Sequence, residues 1–191
     1  MRKLILSLTI ALISISVFAQ TTWREDPMHS KVGFTVTHLG IADVSGYFNE
    51  YDVTIVSEKP DFSDAVITLS VDVKSIDTQV EQRDNHLRSA DFFDVEKYPA
   101  MTFKSTSIKN SGKNKYTLSG NLTLHGVTKP ISVTLLYRGT TANPNANGAP
   151  VAGLQITGKI KRSDFAVGNG FPPPMISDEV IIKADGEFGK Q

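Results

Sequence analysis

The chain has 191 residues, no cysteine, and twenty basic against twenty acidic side chains, so it is formally neutral. Without cysteine there is no disulfide, thiolate metal site, catalytic thiol or acylated cysteine anchor, and the interspersed charge offers neither nucleic acid nor an anionic membrane surface an electrostatic footing. The length suits one domain with a sizeable core and is short for two.

Arg2 and Lys3 precede an uncharged apolar run from Leu4 to Phe18, which ends at the small Ala19 before polar Gln20-Thr21-Thr22. That order predicts a secretory signal peptide over 1–19, cleaved after Ala19. A membrane-spanning helix needs about 20 apolar residues, and this run is shorter. Cleavage leaves 20–191 as a single exported domain, periplasmic or secreted, with a formal charge of about −2.

From His29 onward apolar and polar side chains alternate, the period of a strand with one buried and one wet face. Val32, Phe34, Val36 and His38 share one side, and Lys31, Thr35 and Thr37 the other. The next run sets Tyr47, Tyr51, Val53 and Ile55 against Phe48, with Gly46 marking a bend or bulge. After the turn signals Lys59-Pro60-Asp61, Ala65, Ile67, Leu69, Val71 and Val73 alternate with Val66, Thr68, Ser70 and Asp72. From Thr78 to Tyr98 the alternation stops and charge accumulates, which predicts one or two short helices before Pro99.

Strands resume with Met101, Phe103 and Ser105, then Tyr116, Leu118, Gly120, Leu122 and Leu124, then Ile131, Val133, Leu135 and Tyr137. A flexible loop from Gly139 to Pro150 separates these from Leu154, Ile156, Gly158 and Ile160, and Val180, Ile182, Ala184 and Phe188 end the pattern. About eight short strands with one helical insertion, and no strand–helix alternation, predict an all-β antiparallel barrel. A sandwich shows the same alternation and stays open as the second architecture.

None of the four histidines, His29, His38, His86 and His125, has a ligand-like spacing to another or a carboxylate-rich neighbourhood in sequence, so structural roles are expected and no metal. His125, before Gly126, suits a turn where an imidazole satisfies a backbone group. His38 shares the parity of Val32, Phe34 and Val36, at one end of the interior face. In the segment Arg83-Asp84-Asn85-His86-Leu87-Arg88-Ser89-Ala90-Asp91-Phe92-Phe93, a helix places Arg83 with Leu87 on one face and pairs Asp84 with Arg88. Two readings that do not exclude each other follow: a surface helix that plugs one barrel end with its phenylalanines as core, and the lid or mouth of a cavity with the arginines facing a polar ligand head. No nucleophile elbow, P-loop or dinucleotide fingerprint is present.

Several blocks occur together and in order: Asp26-Pro27-Met28-His29-Ser30, Thr37-His38-Leu39-Gly40, Gly46-Tyr47-Phe48, Arg83-Asp84-Asn85-His86-Leu87-Arg88, Asp91-Phe92-Phe93-Asp94, Lys97-Tyr98-Pro99, and Gly120-Asn121-Leu122-Thr123-Leu124-His125-Gly126 running on to Pro130. In this the chain resembles the YceI family over essentially all of 20–191. The resemblance implies a lipocalin-like barrel whose tunnel holds a polyisoprenoid, such as a prenyl quinone or prenyl pyrophosphate, or another long amphiphile. It further implies a periplasmic or secreted home, a possible homodimer and no catalytic residues. Thr140–Pro150 and Asn169–Pro174 depart from the family pattern.

The expected ligand-facing set is therefore Phe34, Val36, His38, Phe48, Ile67, Leu69, Val71, Arg83, His86, Phe92, Phe93, Met101, Phe103, Leu118, Leu122, Leu135 and Ile156. Each is equally at home as packed core. The expected function is carriage or sequestration of a long isoprenoid or lipid, with no cofactor, nucleic acid partner or transmembrane anchor after cleavage. Two other readings stay open: an enzyme acting on the head of a lipid held in the same cavity, and a solid-cored stress or interaction scaffold.

Overall fold

The computed structural model describes residues 20–191, so the signal-peptide reading of 1–19 lies outside the described residues. The first three staves of the sheet are each bent into two arms. β1 (Thr21–Glu25) and β2 (Lys31–His38) make the first, β3 (Ala42–Phe48) and β4 (Tyr51–Ser57) the second, and β5 (Val66–Asp72) and β6 (Ile76–Asp77) the third. Helix α1 (Glu81–Arg88) follows. Then come five long strands, β7 (Ala100–Gly112), β8 (Lys115–Leu124), β9 (Val127–Ala142), β10 (Pro150–Lys161) and β11 (Glu179–Lys190).

Every pairing is antiparallel. β11 closes the sheet on itself by pairing β1 along one half (Trp23 with Lys190) and β2 along the other (Ile181 with Thr35). With each bent pair counted once, the result is an eight-stranded antiparallel barrel with one helical insertion. Closure leaves no free edge along most of the sheet, which is how a long antiparallel sheet avoids pairing with another chain.

Four local readings change. β1 carries Trp23 as its one large apolar side chain, too little alternation to announce a strand, yet Trp23 is buried. Phe48 is buried while Tyr47 is 41% exposed, the reverse of grouping Tyr47 with Tyr51. The break at Asn49–Glu50 puts Phe48 and Tyr51 three residues apart, and an odd offset flips strand parity. The flexible loop is shorter than Gly139–Pro150: β9 runs to Ala142, β10 starts at Pro150, and Asn143 caps a short 3-10 turn at Pro144–Ala146. The strands are also longer than expected, sixteen residues in β9, because polar, threonine-rich ends without an apolar alternation still pair in a barrel wall.

One end of the barrel is plugged. The loop after β4 inserts Phe62, 1% exposed, between Trp23 (ring centroids 5.2 Å apart) and Tyr137 (5.1 Å). Tyr116 donates its hydroxyl to the Asp61 carbonyl at 2.8 Å. Asp64 holds the same loop by accepting from Ser57 Oγ at 2.6 Å and from the N–H of Glu58 at 3.0 Å. Apolar burial on this scale, about 1.5–3 kcal/mol per large side chain, substitutes for the missing disulfides.

At the bend between β1 and β2 the fold gathers what the sequence keeps apart. His29 Nδ1 donates to Asp26 at 2.9 Å and lies 4.0 Å from Glu187 on β11. The two carboxylates raise the His29 pKa above the ordinary 6.5, the Asp26 hydrogen bond most of all, and His29 in turn holds Asp26 below 3.8. A raised pKa means the protonated ring stabilises the fold fully below 6.5 and ceases to do so as pH rises through the raised value. The Asp26 contribution is present above 3.8 and fades as pH falls through its depressed value. The difference in Tm between the protein and His29→Ala is therefore expected to be widest between the ordinary Asp26 value of 3.8 and the ordinary His29 value of 6.5, and to narrow as pH rises through the raised His29 value. A difference that is flat across thermal melts at these pH values would mean His29 acts by packing alone.

Candidate functional site: an apolar chamber behind a tied flap

The end opposite Phe62 is hollow. A cavity of about 480 Å³ lies between the barrel wall, α1, the turns after it and the segment joining β10 to β11. That is within the range of small-molecule pockets, about 300–1,000 Å³. Strand parity aims the apolar side chains of β2, β5, β7, β8, β10 and β11 into it, as period-two geometry requires.

Of the expected set, Phe34, Val36, His38, Phe48, Leu69, Arg83, His86, Phe92, Phe93, Met101, Phe103, Leu122 and Ile156 border this chamber. Ile67 and Leu135 instead face a second void of about 60 Å³ deeper in the barrel, which shares Leu69, Phe103 and Ile156 with the chamber wall. Val71 and Leu118, 1% and 0% exposed, border neither space. Val71 packs with Phe48, Val73 and Ile76 in a side cluster, and Leu118 in the main core.

Helix α1 is anchored by bonds other than the expected Asp84–Arg88 pair. Buried Asp84 accepts from both the N–H and the hydroxyl of Thr78, at 2.9 and 2.5 Å. Thr78 Oγ1 in turn accepts from Arg83 Nε at 2.7 Å, and Arg83 Nη2 donates to the Thr78 carbonyl. Arg88 donates to the carbonyls of Lys74 and Ile76. Arg83 and Leu87 do share a face, which borders the chamber. Arg83 is thus held along one edge of its guanidinium, while its Nη1 makes no hydrogen bond among the described residues.

The residues missed from sequence are mainly those between Arg162 and Ile176. The Arg162 side chain, 6% exposed, spends every donor on main-chain carbonyls of this segment. Nε donates to Ser177 at 3.0 Å, Nη1 to Val167 and Gly168 at 3.0 and 2.6 Å, and Nη2 to Phe171 and, at 3.0 Å, Ile176. Burial pushes its pKa below that of an ordinary guanidinium, and nearby Asp178 opposes the shift. The segment becomes a flap over the chamber, with Val167, Phe171, Met175 and Ile176 forming its inner side. Its sequence trace was an uncharged run from Phe165 to Ser177 containing three consecutive prolines.

Flap and helix meet through aromatic rings. Phe171 stacks on Phe92 (centroids 4.7 Å, planes 14° apart), and His86 sets its edge against both. His86 Nε2 is 3.0 Å from an Asp91 carboxylate oxygen. Gly168 makes the stack possible, since a Cβ there would come within 2.7 Å of the Phe92 ring. His125 takes its expected role: Nδ1 donates to the Phe165 carbonyl at 3.2 Å, under the base of the flap. Among the described residues, cationic and imidazole groups border the chamber and no carboxylate side chain does.

A closed eight-stranded barrel with one end plugged and a chamber at the other belongs to the lipocalin-like class, whose bore is just wide enough for one slender molecule. The chain belongs to the YceI family, its residues 23–188 matching the YceI-like domain. It is 34% identical over 190 residues to Protein YceI of Salmonella arizonae, covering 97% of this chain and 98% of that one. Among solved structures it resembles Burkholderia cenocepacia BcnA, with a TM-score of 0.75, 26% identity, and coverage of 86% of this chain and 98% of that one. A polyisoprenoid binding domain from Saccharophagus degradans, implicated in plant cell wall breakdown, shares the fold at a TM-score of 0.67 and 15% identity, covering 91% of this chain and all of that one. Among the described residues no helix is long and apolar enough to cross a membrane.

Proposed function

We propose that the chain is exported, loses residues 1–19, and holds one long isoprenoid or lipid in the periplasm, with the tail in the chamber and the head at the rim near Arg83 and His86. The observation that carries this reading is the chamber itself: about 480 Å³, walled mostly by aliphatic and aromatic side chains, with His38, Thr78, Arg83, His86, Arg162 and Lys183 as its polar members. A solid-cored scaffold has no such space. Each methylene buried there contributes about 0.8 kcal/mol, so a chain of several isoprene units binds well without a charged anchor. The likeness in fold to the polyisoprenoid binding domain supports an isoprenoid tail.

The rim narrows the head group. With Arg83 offering a free Nη1 and no carboxylate bordering the space, an electron-rich or anionic head is favoured, which fits a prenyl quinone or a prenyl pyrophosphate. The net charge gives no basis for a nucleic acid partner, and the chamber is complete within one chain, so the reading holds for a monomer or a homodimer. Native mass spectrometry of protein made in a bacterial host, followed by denaturing extraction, is expected to show one prenyl or long-chain molecule per chain. Empty protein that takes up neither added prenyl quinone nor prenyl pyrophosphate would overturn the reading.

A further inference from the structure

The outer rim of the chamber is apolar where solvent should favour polar groups. The turn between β2 and β3 exposes Leu39 (52%) and Ile41 (85%), and the flap beside it exposes Met175 (44%), which also borders the chamber. The two segments are joined: Leu39 N–H donates to the Met175 carbonyl at 3.0 Å, His38 bridges Ile176, and Pro174 lies next to Gly40. No Asp, Glu, Lys or Arg occurs from 36 to 42 or from 165 to 177.

Backbone geometry makes the choice of Leu39 more telling. Ile41 N–H donates to the His38 carbonyl at 3.1 Å across a turn whose central residues, Leu39 and Gly40, have φ of 52° and 70°. Two positive φ values define the hairpin turn that Asn-Gly fits best, and a γ-branched leucine is disfavoured there. A strained, half-exposed leucine at a turn tip serves something other than folding.

We infer that this rim is a docking surface for a lipid bilayer, placing the mouth of the chamber against the membrane that supplies or receives its ligand. This rests on the lipid-carrier reading for its purpose, though not for its test. The patch is a handful of side chains, far short of the roughly 20–30 residues a side of a stable protein interface, and one of them, Met175, also borders the chamber. It is also suited to low-dielectric surroundings. The N–H groups of Leu39, Ile41 and Met175 are bonded within the protein, and Pro172, Pro173 and Pro174 have none to desolvate.

The test is flotation of the mature, ligand-free protein with phosphatidylcholine vesicles, comparing it with Leu39→Asn and Ile41→Asp. Each variant is expected to leave at least about tenfold less protein with the vesicles, as losing one inserted aliphatic side chain implies. Leu39→Asn is expected to match or exceed the parent's urea midpoint, so its loss cannot be ascribed to unfolding. Undiminished flotation of both variants, or no flotation of the parent, overturns the inference. So does a self-association that Ile41→Asp dissolves in analytical ultracentrifugation, which would make the occupant a second copy. Titration with a prenyl quinone in detergent separates the two claims: binding retained in both variants with flotation lost supports the docking surface, whereas no binding by any of the proteins fails the carrier reading and leaves the flotation result to stand on its own.

Discussion

Ala184→Phe is expected to lower affinity for a prenyl chain about 200-fold while leaving the fold intact. Ala184 lies opposite Val32 on β2 and Ile156 on β10, and it borders both the chamber and the deeper void. A phenyl ring there enters empty space. Overpacking a filled core costs about 1–3 kcal/mol, whereas filling a void is commonly neutral or stabilising. If the ring displaces about four methylenes of the ligand, at about 0.8 kcal/mol each, the loss of roughly 3 kcal/mol corresponds to about 200-fold. Calorimetric titration with a prenyl quinone beside a urea melt checks both halves. An unchanged affinity with an unchanged melt would place the chain somewhere other than this chamber.

Arg162→Met is expected to destabilise the protein by about 3–5 kcal/mol, because it strips the partner from five buried or half-buried carbonyls at once. Methionine fills much of the same volume, so lost packing is a minor part of the change. Arg162→Lys retains the charge but carries its donors on a single nitrogen, which cannot reach carbonyls fanned across Val167 to Ser177, and it should recover less than half of the loss. Urea unfolding at constant m measures the stability, and limited proteolysis should show new cleavage between 166 and 176 ahead of global unfolding. A change of less than about 1 kcal/mol in Arg162→Met would mean that water replaces the guanidinium and that the flap is held by its apolar side.

Both substitutions act on parts of the molecule that differ in how plainly the sequence announced them. The wall around Ala184 was legible, since Val180, Ile182 and Ala184 alternate as a half-buried strand must. The flap was not. Arg162 looked like any basic residue near a strand end, and its burial depends on five carbonyls that only the folded turn brings together. The expected Asp84–Arg88 pair failed for a related reason: i, i+4 spacing makes such a pair possible, but Asp84 found two donors on Thr78, outside the helix, in a buried setting where hydrogen bonds outweigh an exposed ion pair. In the same way the Asp26–His29–Glu187 group joins residues from opposite ends of the described chain.

The sequence by itself determined the all-β character, the inward-facing side of most strands, the single helical insertion and the absence of any cysteine chemistry. These are local properties, carried by a two-residue period and by composition. Only the tertiary structure decided that the barrel is hollow at one end and plugged at the other, that parity flips at Asn49–Glu50, and that Val71 and Leu118 are packed while Leu69 and Leu122 face open space. A cavity is the difference between the bore set by strand number and tilt and the summed volume of side chains drawn from eight distant segments, a quantity that no one segment encodes.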